Sequence, residues 1–107
     1  MADAWVYLLR CADGSLYTGW TNDLDRRLAA HAAGTASRYT RSRLPVALAV
    51  ALPQPDRSAA LREEARIKRL SRPEKLALVA SVPRRKFGHY VRRGPSFVAT
   101  GAETPRT

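Results

Sequence analysis

Residues 4–20 read Ala4-Trp5-Val6-Tyr7-Leu8-Leu9-Arg10-Cys11-Ala12-Asp13-Gly14-Ser15-Leu16-Tyr17-Thr18-Gly19-Trp20, and the fold turns on how this stretch pairs. Two runs rich in aromatic and branched residues, over 4–11 and 16–20, flank an Asp-Gly turn signal, which predicts a β-hairpin. A two-residue loop at Asp13-Gly14 places Tyr7 and Tyr17 on opposite faces of the sheet, whereas a three-residue loop, Asp13-Gly14-Ser15, places them on the same face. The sequence is compatible with both. Gly19 inside the second run weakens a strand for no packing gain, so it predicts either a bulge or a close backbone approach by a ligand.

Downstream, Asn22 offers an N-cap, and Leu24, Leu28 and Ala32 recur at helical spacing until Gly34, which predicts a helix over 22–33. A polar, basic connection over 35–44 (TASRYTRSRL) leads to an apolar third strand over 45–52 that Pro53 and Pro55 close. Ser58 is the expected cap of a second helix reaching Leu70, and Ser71-Arg72-Pro73-Glu74 reads as a capping box opening a third through Ala80. The order β-β-α-β-α-α predicts an α+β domain over residues 1–82, a small, mostly antiparallel three-stranded sheet flanked by helices. Residues 83–107 read as a basic C-terminal tail, partly disordered.

The chain has 107 residues with 19 Lys+Arg against 9 Asp+Glu, a net charge of +10. One domain with one modest core is what this length supports. No apolar run approaches the ~20 residues of a membrane span, so a soluble chain without a membrane partner is expected. Cys11, the single cysteine, excludes an internal disulfide and a cysteine-built zinc site, and the N-terminus lacks a secretory pattern; a cytoplasmic setting follows. Sixteen of the cations are arginine, the residue that forks onto phosphate, so the charge points to a nucleic acid. Residues 80–107 alone hold 6 cations against 1 anion.

Three polar residues stand where apolar ones belong. On a helical wheel with Ala60 at zero, Glu64 falls at about 40°, between Ile67 and Leu61 on the apolar face. A carboxylate there needs an ion partner such as Lys68 one turn on, a hydrogen bond or a metal. In the first helix Arg27 and His31 lie one turn apart and share the face of Leu24 and Leu28, while Arg26 points away.

Val6-Tyr7-Leu8, then Tyr17-Thr18-Gly19 ten residues after the first tyrosine, Arg27 eight after the glycine, His31 one turn later and a distal helix bearing Glu64: this series resembles the GIY-YIG nuclease superfamily. The likeness spans residues 4–80 and is greatest to its short stand-alone bacterial members, whose nuclease module is similar to that of structure-selective endonucleases. The first tripeptide reads VYL and the second YTG, and Trp20 stands where some relatives carry lysine.

The resemblance implies a metal-dependent DNA endonuclease that nicks branched or otherwise structured DNA in repair or recombination. It implies that Glu64 holds one divalent cation, Mg²⁺ or Mn²⁺, and that Arg27 clamps the non-bridging phosphate oxygens. Tyr7 becomes the candidate general base, with Tyr17 positioning the water or taking that role itself. Arg27 and the metal would favour phenolate, and neutral His31 would accept the phenolic proton. Gly19, Arg38, Tyr39, Arg41 and Arg43 are the expected substrate contacts, Tyr39 by stacking on a base. DNA is the expected partner, with RNA left open as a second substrate, the chain acting as a monomer or weak dimer and a protein partner for targeting also left open. The alternative is a nucleic-acid-binding module that keeps the fold without turnover.

Overall fold

The computed structural model describes residues 3–82; the basic tail read over 83–107 lies outside these residues. Strand β1 (Ala4–Arg10) pairs antiparallel with β2 (Leu16–Thr21) on one side and with β3 (Ala47–Gln54) on the other, giving the order β2-β1-β3. The central position of β1 explains its unbroken apolar run. Val6, Tyr7, Leu8 and Leu9 are all fully buried because both faces of this strand are covered.

The hairpin closes on an odd loop. Cys11 N–H donates to the Ser15 carbonyl and Gly14 N–H to the Cys11 carbonyl, with Gly14 at φ 85°. The loop is therefore Ala12-Asp13-Gly14, a turn ending on a left-handed residue, one position earlier than the three-residue loop read from sequence but of the same parity. Asp13 Oδ1 accepts from both the backbone and the hydroxyl of Ser15, which holds the turn.

Helix α1 (Leu24–Ala33) is capped by Asp23, whose side chain accepts from Arg26 N–H, not by Asn22. β2 continues through Thr21, whose hydroxyl accepts from Asp23 N–H and so sets the start of the helix. Gly34, at φ 80°, ends it as expected. The connection over 35–44 contains a further element, the single turn α2 (Arg38–Arg41), capped by Ser37. Four residues carry no apolar periodicity, which is why a sequence reading passes over it.

Beyond a cis Leu44–Pro45 bond, β3 begins at Ala47 and runs through Pro53, later at both ends than the sequence suggests. An edge strand tolerates the missing donor of Pro53. Helix α3 (Arg57–Lys68) is capped by Asp56 and not by Ser58, and packs against all three strands. Ala60 and Ile67 are its buried residues; Leu61, assigned to the apolar face by the wheel, is 41% exposed. Helix α4 (Arg72–Ser81) opens with both hydrogen bonds of the Ser71/Glu74 capping box. Among the described residues no helix is long and apolar enough to cross a membrane.

Candidate active site

The odd loop puts Tyr7 opposite Gly19 and Leu9 opposite Tyr17, so the two tyrosines share one face of the sheet. The pairing of β1 with β2 runs unbroken through Gly19, which removes the bulge. A β-carbon at position 19 would stand 2.6 Å from the Tyr7 oxygen, 2.7 Å from its Cζ and 3.2 Å from Tyr17 Cε2. Tyr7 itself makes the close approach that this glycine allows.

His31 reaches this face from α1. Its ring is fully buried, edge-on to Tyr7 and to Tyr17 at centroid separations of 5.5 and 5.2 Å. His31 Nε2 lies 2.7 Å from the Tyr7 hydroxyl and Nδ1 lies 2.8 Å from Thr40 Oγ1. Arg27, one turn earlier, donates from Nε to the same Tyr7 oxygen at 3.3 Å. The stretch 24–33 folds as a helix with Leu24 and Leu28 in the core, and that phase carries Arg27 and His31 to the tyrosines.

Burial dominates the electrostatics here. Desolvation pushes the Tyr7 phenol up to about 12; the Arg27 hydrogen bond and charge pull it down, while the charges of Tyr17 and Glu64 push it up further. The expected net drift towards phenolate is therefore reversed in the free protein, because Arg27 offsets only part of the desolvation. His31 is driven down to about 4, first by burial and then by the Arg27 charge, so its imidazole is neutral at pH 7. Arg27 is raised, chiefly through its hydrogen bond to Tyr7, and stays charged.

Glu64 projects from α3 with its side chain 18% exposed, and its Oε2 lies 3.4 Å from Lys68 Nζ. The Lys68 partner foreseen on the wheel is thus present, its own side chain 56% exposed. Other carboxylates have structural work: Asp13 pairs with Arg43, Asp23 and Asp56 cap helices, Glu63 takes two bonds from Arg66, and Glu74 completes the capping box. Among the described residues no cluster of three His, Cys, Asp or Glu could enclose a metal. Glu64 alone suits a hard divalent ion that keeps most of its shell as water and phosphate oxygens.

The basic turn forms a wall beside this cluster. The Tyr39 ring stacks on Tyr17 at 5.8 Å, and the Arg43 guanidinium sits 3.8 Å from the Tyr39 centroid. Arg43 also donates to Asp13 Oδ2 at 2.9 Å and to the Tyr39 carbonyl at 3.0 Å. Arg43 and Tyr39, both expected on substrate, tie α2 to the hairpin turn and to β2. Arg38 and Arg41 are exposed on the same turn. Thr40, buried between them, has no counterpart in the sequence reading; its only signal was the Ser37-x-x-Thr40 spacing of a capped turn.

A family model described as the GIY-YIG catalytic domain matches residues 3–77. Among similar sequences, a UPF0213 protein of Xanthomonas axonopodis pv. citri is 51% identical over 79 residues, 74% of this chain and 78% of that protein. One from Streptococcus sanguinis is 47% identical over 76 residues, 71% and 87% of the two chains. Another, from Natronomonas pharaonis, is 49% identical over 79 residues, 74% and 93% of the two chains. The solution NMR structure of a UPF0213 protein from Bacillus halodurans is 45% identical, covers 72% of this chain and 82% of its own, and aligns with a TM-score of 0.49.

Proposed function

The chain belongs to the GIY-YIG catalytic-domain family, and on that premise we propose that it is a divalent-metal-dependent endonuclease that nicks branched or otherwise structured DNA. The observation that carries this reading is the convergence of Arg27 and His31 on the Tyr7 oxygen, at 3.3 and 2.7 Å. A protein that only bound DNA would need its arginines; it would have no use for a buried phenol wedged between a cation and a neutral imidazole.

Arg27 orients the scissile phosphate through the guanidinium face not given to Tyr7. With a phosphate on Arg27, the positive charge that lowers His31 is neutralised, and the imidazole becomes a better base. As water attacks phosphorus, its proton passes to the Tyr7 oxygen, which is closed to solvent in the free protein and has to open to that water when the phosphate binds, while the phenolic proton passes to His31 Nε2. The phenol thus acts as a relay, which its high pKa permits and which free phenolate chemistry would not. Tyr17, on the same face, positions the water. Glu64 would hold Mg²⁺ or Mn²⁺, which supplies charge neutralisation on the phosphate and the leaving oxygen. Arg38 and Arg41 contact flanking phosphates, so recognition rests on backbone and shape rather than on bases.

Supercoiled, branched and single-stranded DNA, and RNA of matching form, incubated with Mg²⁺ or with chelator, test the reading. Chelator-sensitive nicking, strongest on branched DNA, is expected. Tight binding without cleavage on any of these substrates would favour the non-catalytic module.

A further inference from the structure

Among the described residues, the buried hydrogen bonds around His31 have one arrangement in which every proton finds an acceptor. Arg27 is a donor only, so the Tyr7 oxygen accepts from it. Tyr7 is fully buried, and among the described residues the acceptor beside its hydroxyl is His31 Nε2 at 2.7 Å. If Nε2 carried the proton, the phenolic hydrogen would be left without a partner in the interior, at a cost of about 1–3 kcal/mol. Nε2 is therefore bare, and the imidazole proton resides on Nδ1.

That proton needs its own acceptor, and Thr40 Oγ1 stands 2.8 Å away, itself fully buried. The Thr40 hydroxyl in turn donates to Ser37, whose Oγ is at 2.9 Å and whose carbonyl is at 3.5 Å. Ser37 Oγ also accepts from Thr40 N–H as the cap of α2. The chain Arg27 to Tyr7 to His31 to Thr40 to Ser37 runs in one direction from end to end.

We propose that Thr40 is the positioning residue of this site: its hydroxyl, held by the α2 turn, keeps His31 in the Nδ1–H tautomer and so reserves Nε2 for the phenolic proton of Tyr7. The role of that tautomer in turnover rests on the nuclease reading; the tautomer itself does not. Thr40 also sits on the same single turn as Arg38 and Arg41, so the turn that offers cations to the phosphate backbone is the one that sets the proton acceptor.

Imidazole ¹⁵N chemical shifts of the full-length protein at neutral pH test the assignment without reference to cleavage. The expected spectrum has a protonated Nδ1 and a bare Nε2 for His31; a protonated Nε2 in the wild type overturns the proposal. Thr40→Val, which keeps the shape and removes the hydroxyl, is expected to move His31 to the other tautomer or to a mixture. Thr40→Ser is expected to restore the wild-type pattern. A folded Thr40→Val protein with the wild-type shifts also overturns it. In cleavage assays kcat should fall about 10- to 100-fold in Thr40→Val with KM little changed, and recover in Thr40→Ser, as for other groups that orient a functional histidine. A wild-type protein that shows the expected tautomer but cleaves nothing would count against the nuclease reading and leave the assignment of Thr40 standing.

Discussion

The phenol of Tyr7 lies across Gly19 so closely that a β-carbon there would come within 2.6 Å of its oxygen. Glycine at 19 is what lets the end of the ring pass close to β2 with its hydroxyl between Arg27 and His31. Gly19→Ala should displace the ring and cost about 1–3 kcal/mol of stability, the usual range for overpacking a buried site. Thermal unfolding and cleavage rate, measured together, should both fall; an alanine variant with full activity would contradict this placement of Tyr7.

Glu64→Ala and Arg27→Ala should abolish nicking while leaving far-UV circular dichroism and the cooperativity of unfolding intact. Glu64 is paired with the exposed Lys68, and Arg27 is half-buried, and neither is among the buried core residues. Arg27→Lys should recover little, because a point charge does not reproduce the planar fork that serves Tyr7 and a phosphate together.

Stability should depend on pH through His31. Its folded pKa of about 4 lies below the ordinary 6.5, so the unfolded chain binds the proton first as pH falls. The stabilisation is complete above pH 6.5 and is lost progressively down to pH 4, by an amount of roughly 3 kcal/mol if the full shift is expressed. Tyr7 acts at the other end: raised to about 12 from 10, it favours the folded state until the unfolded phenol ionises, and stability falls as pH rises above 10. Urea unfolding across these windows, with His31→Asn losing the acid slope, provides the measurement.

Cleavage should require an added divalent cation and stop on chelation, with no change in the unfolding transition. Glu64 contributes nothing that closes the fold, so metal removal should be silent in calorimetry of the free protein. A marked loss of stability on chelation would indicate a structural metal instead.

Arg38→Ala and Arg41→Ala should each lower the slope of log affinity against log salt by about 1, the signature of one lost phosphate contact. Arg43→Ala should act differently: it frees Tyr39 and the hairpin turn, and the expected loss is in the ordering of α2 rather than in the salt slope. Fluorescence anisotropy on a labelled DNA at several salt concentrations separates the two.

Much of the site was legible because helical and strand periodicities place side chains on faces without reference to distant contacts. Arg27, His31 and Glu64 stood out as polar residues at apolar phases, and Gly19 as a glycine where a strand gains nothing from one. The short turn at Arg38–Arg41 and the role of Thr40 were not legible, since a one-turn helix has no period and Thr40 has meaning only beside His31. The pairing of Arg43 was not legible either: its charge suggested phosphate, and its bond to Asp13, thirty residues earlier, exists only in the folded chain.

From sequence alone came the element order, the α+β class, the capping box at Ser71 and the set of polar residues that break the apolar faces. These follow from local propensity and from spacing along the chain. The tertiary structure decided the loop parity that brings Tyr7 and Tyr17 to one face, the protonation of a phenol and an imidazole buried together, and the direction of the hydrogen bonds between them. Those properties depend on which groups lose water and which partners replace it, and only the folded chain brings residues 7, 19, 31 and 40 close enough for that exchange.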